Sequence, residues 1–260
     1  MSTTPASTTP RFDPNFTQHV IDSMGPNTSP RIREVMESLT KHIHDFAREV
    51  ELTADELVDE ITYKKASETT TLATRSAILG PFFRTDHPIR ENGDTISFNT
   101  PDDAEIVYMN GRVLDAVTKK PLPNATVDVW EASTNGLYEQ QDDNQVDSNL
   151  RGKFITDVNG EYAFYCIKPT AYPVPDDGPA GKLLNLLDRH PYRPAHIHLI
   201  VLIDGFKPVI TQIFDKDSKY LNNDSVFAVQ DSLLVEFMPR SGDEKAKLEL
   251  KYDVYLAPLE

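Results

Sequence analysis

Apolar positions between residues 30 and 50 recur at intervals of three and four, which is the period of an amphipathic helix. The dipeptide Ser29-Pro30 precedes them and combines a capping hydroxyl with a proline at the first helical position. Thr53 and Glu56 have the spacing of a capping box, so a second, shorter helix is predicted after them. The pattern predicts a small helical lobe. The apolar positions of its first helix are Ile32, Val35, Met36, Leu39, Ile43, Phe46, Ala47 and Val50.

From Thr69 onwards the pattern changes to short apolar segments that are separated by turn residues. The turn Val158-Asn159-Gly160 predicts that the segments on either side of it pair as a hairpin. Many short strands without long helices between them are typical of an antiparallel sandwich or barrel. We therefore predict a mainly β protein, an antiparallel β-sandwich with a small N-terminal helical lobe. The predicted strands are 105–117, 125–132, 153–157, 162–167, 196–203, 209–214, 226–237 and 248–256.

The same pattern divides the chain into three parts. Residues 1–13 are rich in Ser, Thr and Pro and are predicted to form a disordered tail. Residues 14–72 form the predicted helical lobe, and residues 73–260 form the predicted catalytic β-sandwich. A long connection from Pro169 to Pro194 is rich in proline, glycine and aspartate. Loops of that length are usually functional or mobile, so we expect this one to contribute to a site.

Charge and cysteine content narrow the functional classes. The chain has 26 basic and 41 acidic residues and a net charge of -15, which argues against nucleic acid and anionic membranes as partners. No apolar run approaches the ~20 residues of a membrane span, and the N-terminus lacks the pattern of a signal peptide. Cys166 is the single cysteine, and we expect it to be a small buried apolar residue. A reducing, cytoplasmic location is predicted.

Two histidines suggest a metal site. His196 and His198 open the predicted strand 196–203, and alternation along a strand places both on one face, with Ile197 on the other. Two imidazoles on one rigid face are half of a plausible metal site. For an isolated His-x-His motif, however, two hydrogen-bonded histidines on a half-buried strand are the better interpretation. The rest of the chain has to decide between these two readings.

Two tyrosines near loops complete the candidate set. Tyr138 lies just beyond the predicted strand 125–132, in Asn135-Gly136-Leu137-Tyr138, and Tyr172 opens the proline-flanked segment 172–179. The segment 181–198 follows and ends in Arg193-Pro194-Ala195-His196-Ile197-His198. Together, these three stretches resemble the intradiol ring-cleaving dioxygenases, in particular the hydroxyquinol and catechol 1,2-dioxygenase branch. The resemblance extends from about residue 11 to the C-terminus.

The resemblance implies a β-sandwich with an N-terminal helical region and one non-haem Fe(III) per subunit. The implied ligands are Tyr138, Tyr172, His196 and His198, with Tyr172 and His198 axial. Phenolate is a hard anionic donor, and a trivalent cation favours it over the phenol, whose pKa is otherwise about 10. Zinc more commonly recruits Cys, His or carboxylate, and ferrous oxygenases use two His and one carboxylate. The donor set therefore favours ferric iron.

The implied reaction opens an aromatic ortho-diphenol with O2 between its two hydroxylated carbons. The resemblance makes Tyr172 an internal base that leaves the metal, and Arg193 the cation that stabilises negative charge on the ring. Gln212 matches an active-site glutamine with a hydrogen-bonding role. A salt bridge for Arg193 and an ordinary strand glutamine at 212 are the alternatives. The residues implied to line the substrate pocket are Leu79, Gly80, Pro81, Phe82, Val174, Pro175 and Val226.

The segment Leu79-Gly80-Pro81-Phe82 resembles hydroxyquinol enzymes more than catechol enzymes. It favours hydroxyquinol (benzene-1,2,4-triol) as substrate and 3-hydroxy-cis,cis-muconate, the enol form of maleylacetate, as product. Cleavage of catechol or chlorocatechol is the alternative within the family, and a non-catalytic β-sandwich module or an inactive paralogue is the alternative from another class. A homodimer is implied. The helical lobe, however, is shorter than in the family just before Glu56, where the family forms its dimer contact and a lipid-binding tunnel.

Overall fold

A computed structural model describes residues 15–50 and 72–259 of the chain. Its contacts separate two units, Met1–Ile61 with Asp177–His190, and Thr62–Asp176 with Pro191–Glu260. The predicted disordered tail, the capping box at Thr53 and Glu56 and the short helix after it lie outside the described residues. Within the described ranges, no helix is both long enough and apolar enough to cross a membrane.

The described part of the first unit contains three helices, α1 (Phe16–Asp22), α2 (Pro30–Glu49) and α3 (Pro179–Leu186). The start of α2 is as predicted, because the Ser29 hydroxyl accepts a hydrogen bond from the Ile32 N–H at 3.4 Å and Pro30 is the first helical residue. A small cluster of Ile21, Met24 and Leu187 is buried in this unit. No residue of α2 is buried, so most of its apolar stripe is open to solvent.

Helix α3 is a feature that the sequence pattern did not indicate. It lies inside the connection from Pro169 to Pro194, which reads as one long loop because its proline, glycine and aspartate residues mask a short helical segment. Pro179 at the first helical position is the signal that marks its start.

In the second unit, the described residues form two five-stranded sheets and a short ribbon. One sheet has the order β10-β11-β1-β12, with β4 also paired to β1, and the other has the order β3-β2-β7-β8-β9. Strands β5 and β6 form the ribbon. The strands are β1 (Ile106–Asp115), β2 (Thr126–Trp130), β3 (Arg151–Ile155), β4 (Glu161–Ile167), β5 (Tyr172–Pro173), β6 (Tyr192–Arg193), β7 (His196–Leu202), β8 (Val209–Asp215), β9 (Leu234–Val235), β10 (Met238–Pro239), β11 (Leu248–Lys251) and β12 (Val254–Leu256).

The predicted hairpin across Val158-Asn159-Gly160 was wrong. Strand β3 pairs with β2 in one sheet, whereas β4 pairs with β1 in the other, so the chain changes sheets at this turn. Both strands direct apolar side chains into the interior, where the rings of Phe154 and Phe164 stack with centroids 4.7 Å apart. Burial of these faces against each other outweighs direct pairing of the two strands.

Two other predicted strands are interrupted. The segment 226–237 contains only β9 and the 3-10 helix Asp231–Leu233, and the segment 248–256 is divided into β11 and β12. Both β11 and β12 run parallel to β1, and β9 runs parallel to β8, so the sheets are antiparallel with a few parallel pairs. The predicted mainly β class is correct.

The core between the sheets explains two residues near the candidate chemistry. Ile197 is fully buried in the main apolar cluster, and so is Cys166. Burial raises the pKa of the Cys166 thiol well above its usual value, which makes it an inert packing group, as expected.

Candidate active site

A row of residues crosses one sheet at the centre of the site. In the register of the sheet, His198 on β7 lies opposite Trp130 on β2 and opposite Gln212 on β8. Arg151 on β3 extends the row beyond Trp130. Ile197 points into the core, so His196 and His198 share the other face, as strand alternation predicts. Both histidines are nevertheless buried.

Four donor atoms converge on this face. The Tyr138 Oη lies 3.1 Å from the Tyr172 Oη, which in turn lies 3.2 Å from the His196 Nε2. The Nε2 atoms of His196 and His198 are 3.2 Å apart. Nitrogen and oxygen ligands that share one metal at about 2 Å are spaced about 3 Å apart. The structure thus brings together all four residues implied as iron ligands.

The two tyrosines are positioned by short, local elements. Tyr172 belongs to the two-residue strand β5 and pairs with Arg193 on β6. Tyr138 immediately precedes the 3-10 helix Glu139–Gln141. Gly136 has φ of +80°, and a Cβ atom there would lie 2.8 Å from the Tyr172 Cβ. Only glycine fits this conformation and this close approach, so it allows the two tyrosines to meet.

The two histidines are oriented by different contacts, a hydrogen bond for His196 and a ring stack for His198. The His196 Nδ1 lies 2.7 Å from the Pro194 carbonyl oxygen, so Nδ1 carries the proton and Nε2 is free to bind a metal. The His198 ring stacks on Trp130 with centroids 4.7 Å apart and planes 10° apart. Burial lowers the pKa of both histidines well below its ordinary value. They are therefore neutral, as metal ligands must be.

The phenols require a cation if they are to ionise. Burial raises the pKa of Tyr172, and burial together with the neighbouring Tyr172 raises the pKa of Tyr138 well above its usual value. Among the described residues, no group of three or more His, Cys, Asp or Glu could hold a metal ion. The donors that the cluster offers besides the two imidazoles are the phenols, and as phenolates they suit a hard trivalent cation. The donor set fits ferric iron.

Arg193 and Gln212 lie beside the donors. The Arg193 Nη1 is 3.1 Å from the His196 Nε2, and its Nη2 donates to the Gln212 Oε1 at 2.7 Å. The Gln212 Nε2 donates to the Ile78 carbonyl oxygen at 2.6 Å. Arg193 thus reaches the donor cluster, while both ends of the Gln212 amide are occupied by protein partners. These two bonds join Arg193 to the backbone at Ile78 through Gln212.

Comparison with known proteins identifies the family of this chain. Residues 78–258 match a family model described as "Dioxygenase", and residues 29–79 match one described as "Catechol dioxygenase N terminus". The chain belongs to the intradiol ring-cleavage dioxygenase family. The family uses non-haem iron.

Individual relatives cover nearly the whole chain. The intradiol ring-cleavage dioxygenase prcA of Aspergillus niger is 45% identical over 96% of this chain and 90% of its own length. The catechol 1,2-dioxygenase of Candida albicans is 40% identical over 93% of this chain and 91% of its own. A solved hydroxyquinol 1,2-dioxygenase from Pseudomonas putida superposes with a TM-score of 0.68 at 31% identity, covering 94% of this chain and 98% of that one. The family predicted from the sequence is confirmed.

The residues implied to line the pocket of this intradiol dioxygenase are only partly gathered around the donors. Leu79 and Phe82 pack against the cluster that contains both tyrosines, and Phe82 stacks on Tyr138 with ring centroids 4.5 Å apart. Gly80 has φ of +79°, and a Cβ there would lie 3.0 Å from the His198 Cε1. The segment 79–82 therefore covers one side of the site.

The remaining lining candidates are more peripheral. Val226 is half-buried and packs against the cluster around Phe214, whose ring centroid lies 5.7 Å from that of His196. Val174 is half-buried, and its N–H donates to the Pro191 carbonyl oxygen. Pro81 and Pro175 are exposed.

Arg151 is a site residue that the sequence did not reveal. Its Nε donates to Glu139 at 2.7 Å, its Nη1 is 3.1 Å from the His87 Nε2, and its guanidinium carbon lies 5.6 Å from the centre of the Tyr138 ring. This contact ties the turn after Tyr138 to strand β3. Trp130 and Asp224 were missed as well. A lone tryptophan beside a turn could have been a signal for Trp130, but nothing in the sequence pattern distinguishes Arg151 or Asp224 from other charged residues.

Proposed function

We propose that this protein cleaves an aromatic ortho-diphenol with O2 at a ferric iron held by Tyr138, Tyr172, His196 and His198. The observation that carries the proposal is the convergence of two phenol oxygens and two imidazole nitrogens. In the order Tyr138, Tyr172, His196 and His198, each donor atom lies within 3.2 Å of the next, on buried elements. When bound there, ferric iron supplies Lewis-acid activation and a template that orients the diol.

The chain's own residues handle protons and charge. Tyr172 is the proposed internal base, because its hydroxyl lies among the donor atoms and burial raises its pKa, which favours the protonated phenol. The Arg193 Nη1 faces the donors, so the guanidinium can stabilise negative charge that develops on the bound ring. Leu79 and Phe82 shield the phenol side of the site from water.

Hydroxyquinol is the proposed substrate, on the basis of the segment Leu79-Gly80-Pro81-Phe82. Catechol is a second candidate that two observations favour. The side chains implied to line the pocket are apolar, so they offer no hydrogen bond to a third hydroxyl group, whose burial without a partner is unfavourable. In addition, a relative named catechol 1,2-dioxygenase is 40% identical to this chain.

Oxygen uptake by the purified, iron-loaded protein tests the proposal. Hydroxyquinol, catechol and chlorocatechols are supplied side by side, and the ring-opened products are identified by mass. We expect one O2 consumed per diol and the highest kcat/KM with hydroxyquinol. Turnover of catechol without turnover of hydroxyquinol would assign the second candidate. No uptake with any diol would refute the enzymatic function and favour a non-catalytic module.

We also propose that the protein is a homodimer that associates through α2. Leu39, Ile43 and Phe46 on this helix are 46%, 53% and 55% exposed, which is unusual for large apolar residues that recur on one helical face. The predicted shortening of the lobe bears on this contact. The Aspergillus alignment runs over 284 positions while covering 96% of this chain, so that relative has residues without a counterpart here.

Sedimentation measures the association directly. We expect the wild type to sediment at about twice the 29.3 kDa of one chain, and Ile43→Glu to shift it to the monomer because a charge would be buried in the contact. Lys41→Gln, an exposed polar position on the same helix, serves as the control. A wild type that sediments as a monomer would contradict the proposal.

A further inference from the structure

Asp224 is a buried carboxylate that binds the Nε and Nη2 atoms of Arg193, whereas His196 lies against Nη1. It is 3% exposed. Its Oδ1 accepts from the Arg193 Nε at 3.2 Å, and its Oδ2 accepts from the Arg193 Nη2 at 3.3 Å. The two oxygens also accept the backbone N–H groups of Val226, at 3.3 Å, and Ala228, at 3.0 Å. Asp224 therefore joins the guanidinium to the loop that contains Val226.

Two nitrogens of the Arg193 guanidinium bind neighbouring side chains, and the third points towards the donor cluster. Its Nε and Nη2 are taken by Asp224 and Gln212, while its Nη1 is the nitrogen that lies against the His196 Nε2. Because a guanidinium is planar, fixing two of its nitrogens fixes the direction of the third. The orientation of Nη1 towards the donor cluster is thus set by Asp224 on one edge and Gln212 on the other.

We propose that Asp224 is a positioning residue that holds Arg193 in its catalytic orientation and, through the backbone N–H groups of Val226 and Ala228, ties it to the loop that contains them. The inference deepens the proposed function and rests on it. Gln212 plays the matching part on the opposite side, because it links Arg193 to the Ile78 carbonyl beside the segment 79–82. The guanidinium is therefore held between Asp224, in the loop before Val226, and Gln212 on strand β8.

The charge of Asp224 is the decisive property. Arg193 is 2% exposed, and a buried guanidinium without an opposite charge is strongly unfavourable. With a neutral partner the guanidinium would move towards other acceptors or towards water, and a displacement of about 1 Å at a reacting centre costs roughly 100-fold in rate. The four donor residues keep their own supports, because those lie on β5, β7 and the turn at Tyr138.

The variant Asp224→Asn tests the role of the charge, since it keeps the side-chain shape and one acceptor oxygen. We expect kcat to fall about 10- to 100-fold, while iron content and the visible absorption band of the resting protein stay at wild-type values. Asp215→Asn is the matched control. Asp215 is also a buried carboxylate, paired with Lys168 at 3.3 Å and bonded to the Asp217 N–H at 3.0 Å, and its loss should change kcat by less than about two-fold.

A double-mutant cycle with Arg193→Ala separates positioning from mere support of the loop. If Asp224 acts through Arg193, then Asp224→Asn should reduce kcat by less than about two-fold when Arg193 is already absent. The same fall in both backgrounds would overturn the inference, and so would an unchanged kcat for Asp224→Asn in the wild-type background. Loss of iron from Asp224→Asn would also overturn it, because the residue would then support the metal site.

A second variant, Asp224→Glu, keeps the inference testable if Asp224→Asn does not fold. Asp224→Glu keeps the charge and moves it by one methylene, so it should lower kcat several-fold in the wild-type background and leave the Arg193→Ala background unchanged. An equal fall in the two backgrounds would again overturn the inference. These outcomes differ from failure of the proposed function, in which the wild type itself consumes no oxygen with any diol.

Discussion

Tyr138 shows how tightly a single donor is held. Its ring stacks on Phe82, the Arg151 guanidinium lies near its face, and its hydroxyl lies 3.1 Å from that of Tyr172. The side chain is only 1% exposed. The position of its ring is therefore determined by packing, and removal of the hydroxyl group alone would leave the ring in place.

The variant Tyr138→Phe should bind ferric iron at least about ten-fold more weakly, because it removes one anionic donor without opening a cavity. Iron content after dialysis against a chelator measures the loss. Emission from Trp130, the single tryptophan of the chain, gives a second measure, because Trp130 stacks on His198 and bound ferric iron should quench it.

Tyr162→Phe is the control for this prediction. Tyr162 is also 1% exposed, but its hydroxyl donates to the Tyr252 carbonyl oxygen in the core. It should retain iron as the wild type does. Equal iron retention in both variants would mean that Tyr138 is not a ligand.

At this scale, the sequence predicted the donors and missed their supports. Alternation along one strand places His196 and His198 on a common face, and this needs no tertiary information. Asp224 lies in an irregular loop, 31 positions after its partner Arg193. Arg151 contacts His87, which lies 64 positions before it. Neither contact has a local pattern that could reveal it.

At the scale of elements, the segment 79–82 is the part of the site that a backbone change would affect most. Gly80 combines a positive φ of +79° with a close approach to His198. Any side chain there would be strained by the backbone conformation and would also press on the imidazole ring. Gly93 has a similar φ of +91°, but a Cβ there would meet no atom within 4 Å.

Substitution of these two glycines separates the effect of backbone strain from the effect of a steric contact with His198. Both Gly80→Ala and Gly93→Ala should lower the free energy of unfolding by about 1–2 kcal/mol, because alanine is unfavourable at positive φ. Only Gly80→Ala should also shift the visible absorption of the ferric protein and lower kcat/KM, since it displaces His198. Urea denaturation and steady-state kinetics of the two variants provide the comparison. Equal kcat/KM for Gly80→Ala and Gly93→Ala would show that a side chain at position 80 does not displace His198.

Element predictions succeeded where the strand is central and failed at the edges. The strands 196–203 and 209–214 were predicted to within about one residue, because a buried hairpin carries a continuous apolar signal. The segment 226–237 was wrong as a strand. Its start is held by Asp224, which bonds to two backbone N–H groups, and its middle forms a 3-10 helix. Such side-chain-to-backbone bonds compete with sheet pairing.

At the scale of the whole molecule, Glu131 links the two sheets. It follows β2 of one sheet, and its carboxyl accepts a hydrogen bond from the Ile167 N–H on β4 of the other sheet at 3.1 Å. Its second oxygen is buried and has no hydrogen-bond partner among the described residues. Burial raises the pKa of Glu131 from 4.5 to about 8. The folded protein therefore keeps this group neutral at physiological pH.

The linked pH dependence has a defined sign. Between about pH 5 and pH 8 the folded state holds a proton that the unfolded chain has released, so the free energy of unfolding falls as pH rises, by about 1.4 kcal/mol per pH unit. Glu131→Gln removes this dependence, because the amide stays neutral. Urea denaturation of both proteins at pH 5, 6.5 and 8 measures it. If the difference in free energy of unfolding between the wild type and Glu131→Gln stayed the same at the three pH values, the raised pKa of Glu131 would be contradicted.

The central claim is that two tyrosines and two histidines of this chain bind one ferric ion, and the visible absorption spectrum tests it most directly. Tyrosinate bound to Fe(III) produces a charge-transfer band that gives a wine-red colour, whereas phenols and imidazoles alone do not absorb visible light. We expect one equivalent of ferric iron to produce this band in the wild type and expect the band to weaken strongly in Tyr138→Phe. A wild-type protein that stays colourless with ferric iron would contradict the account.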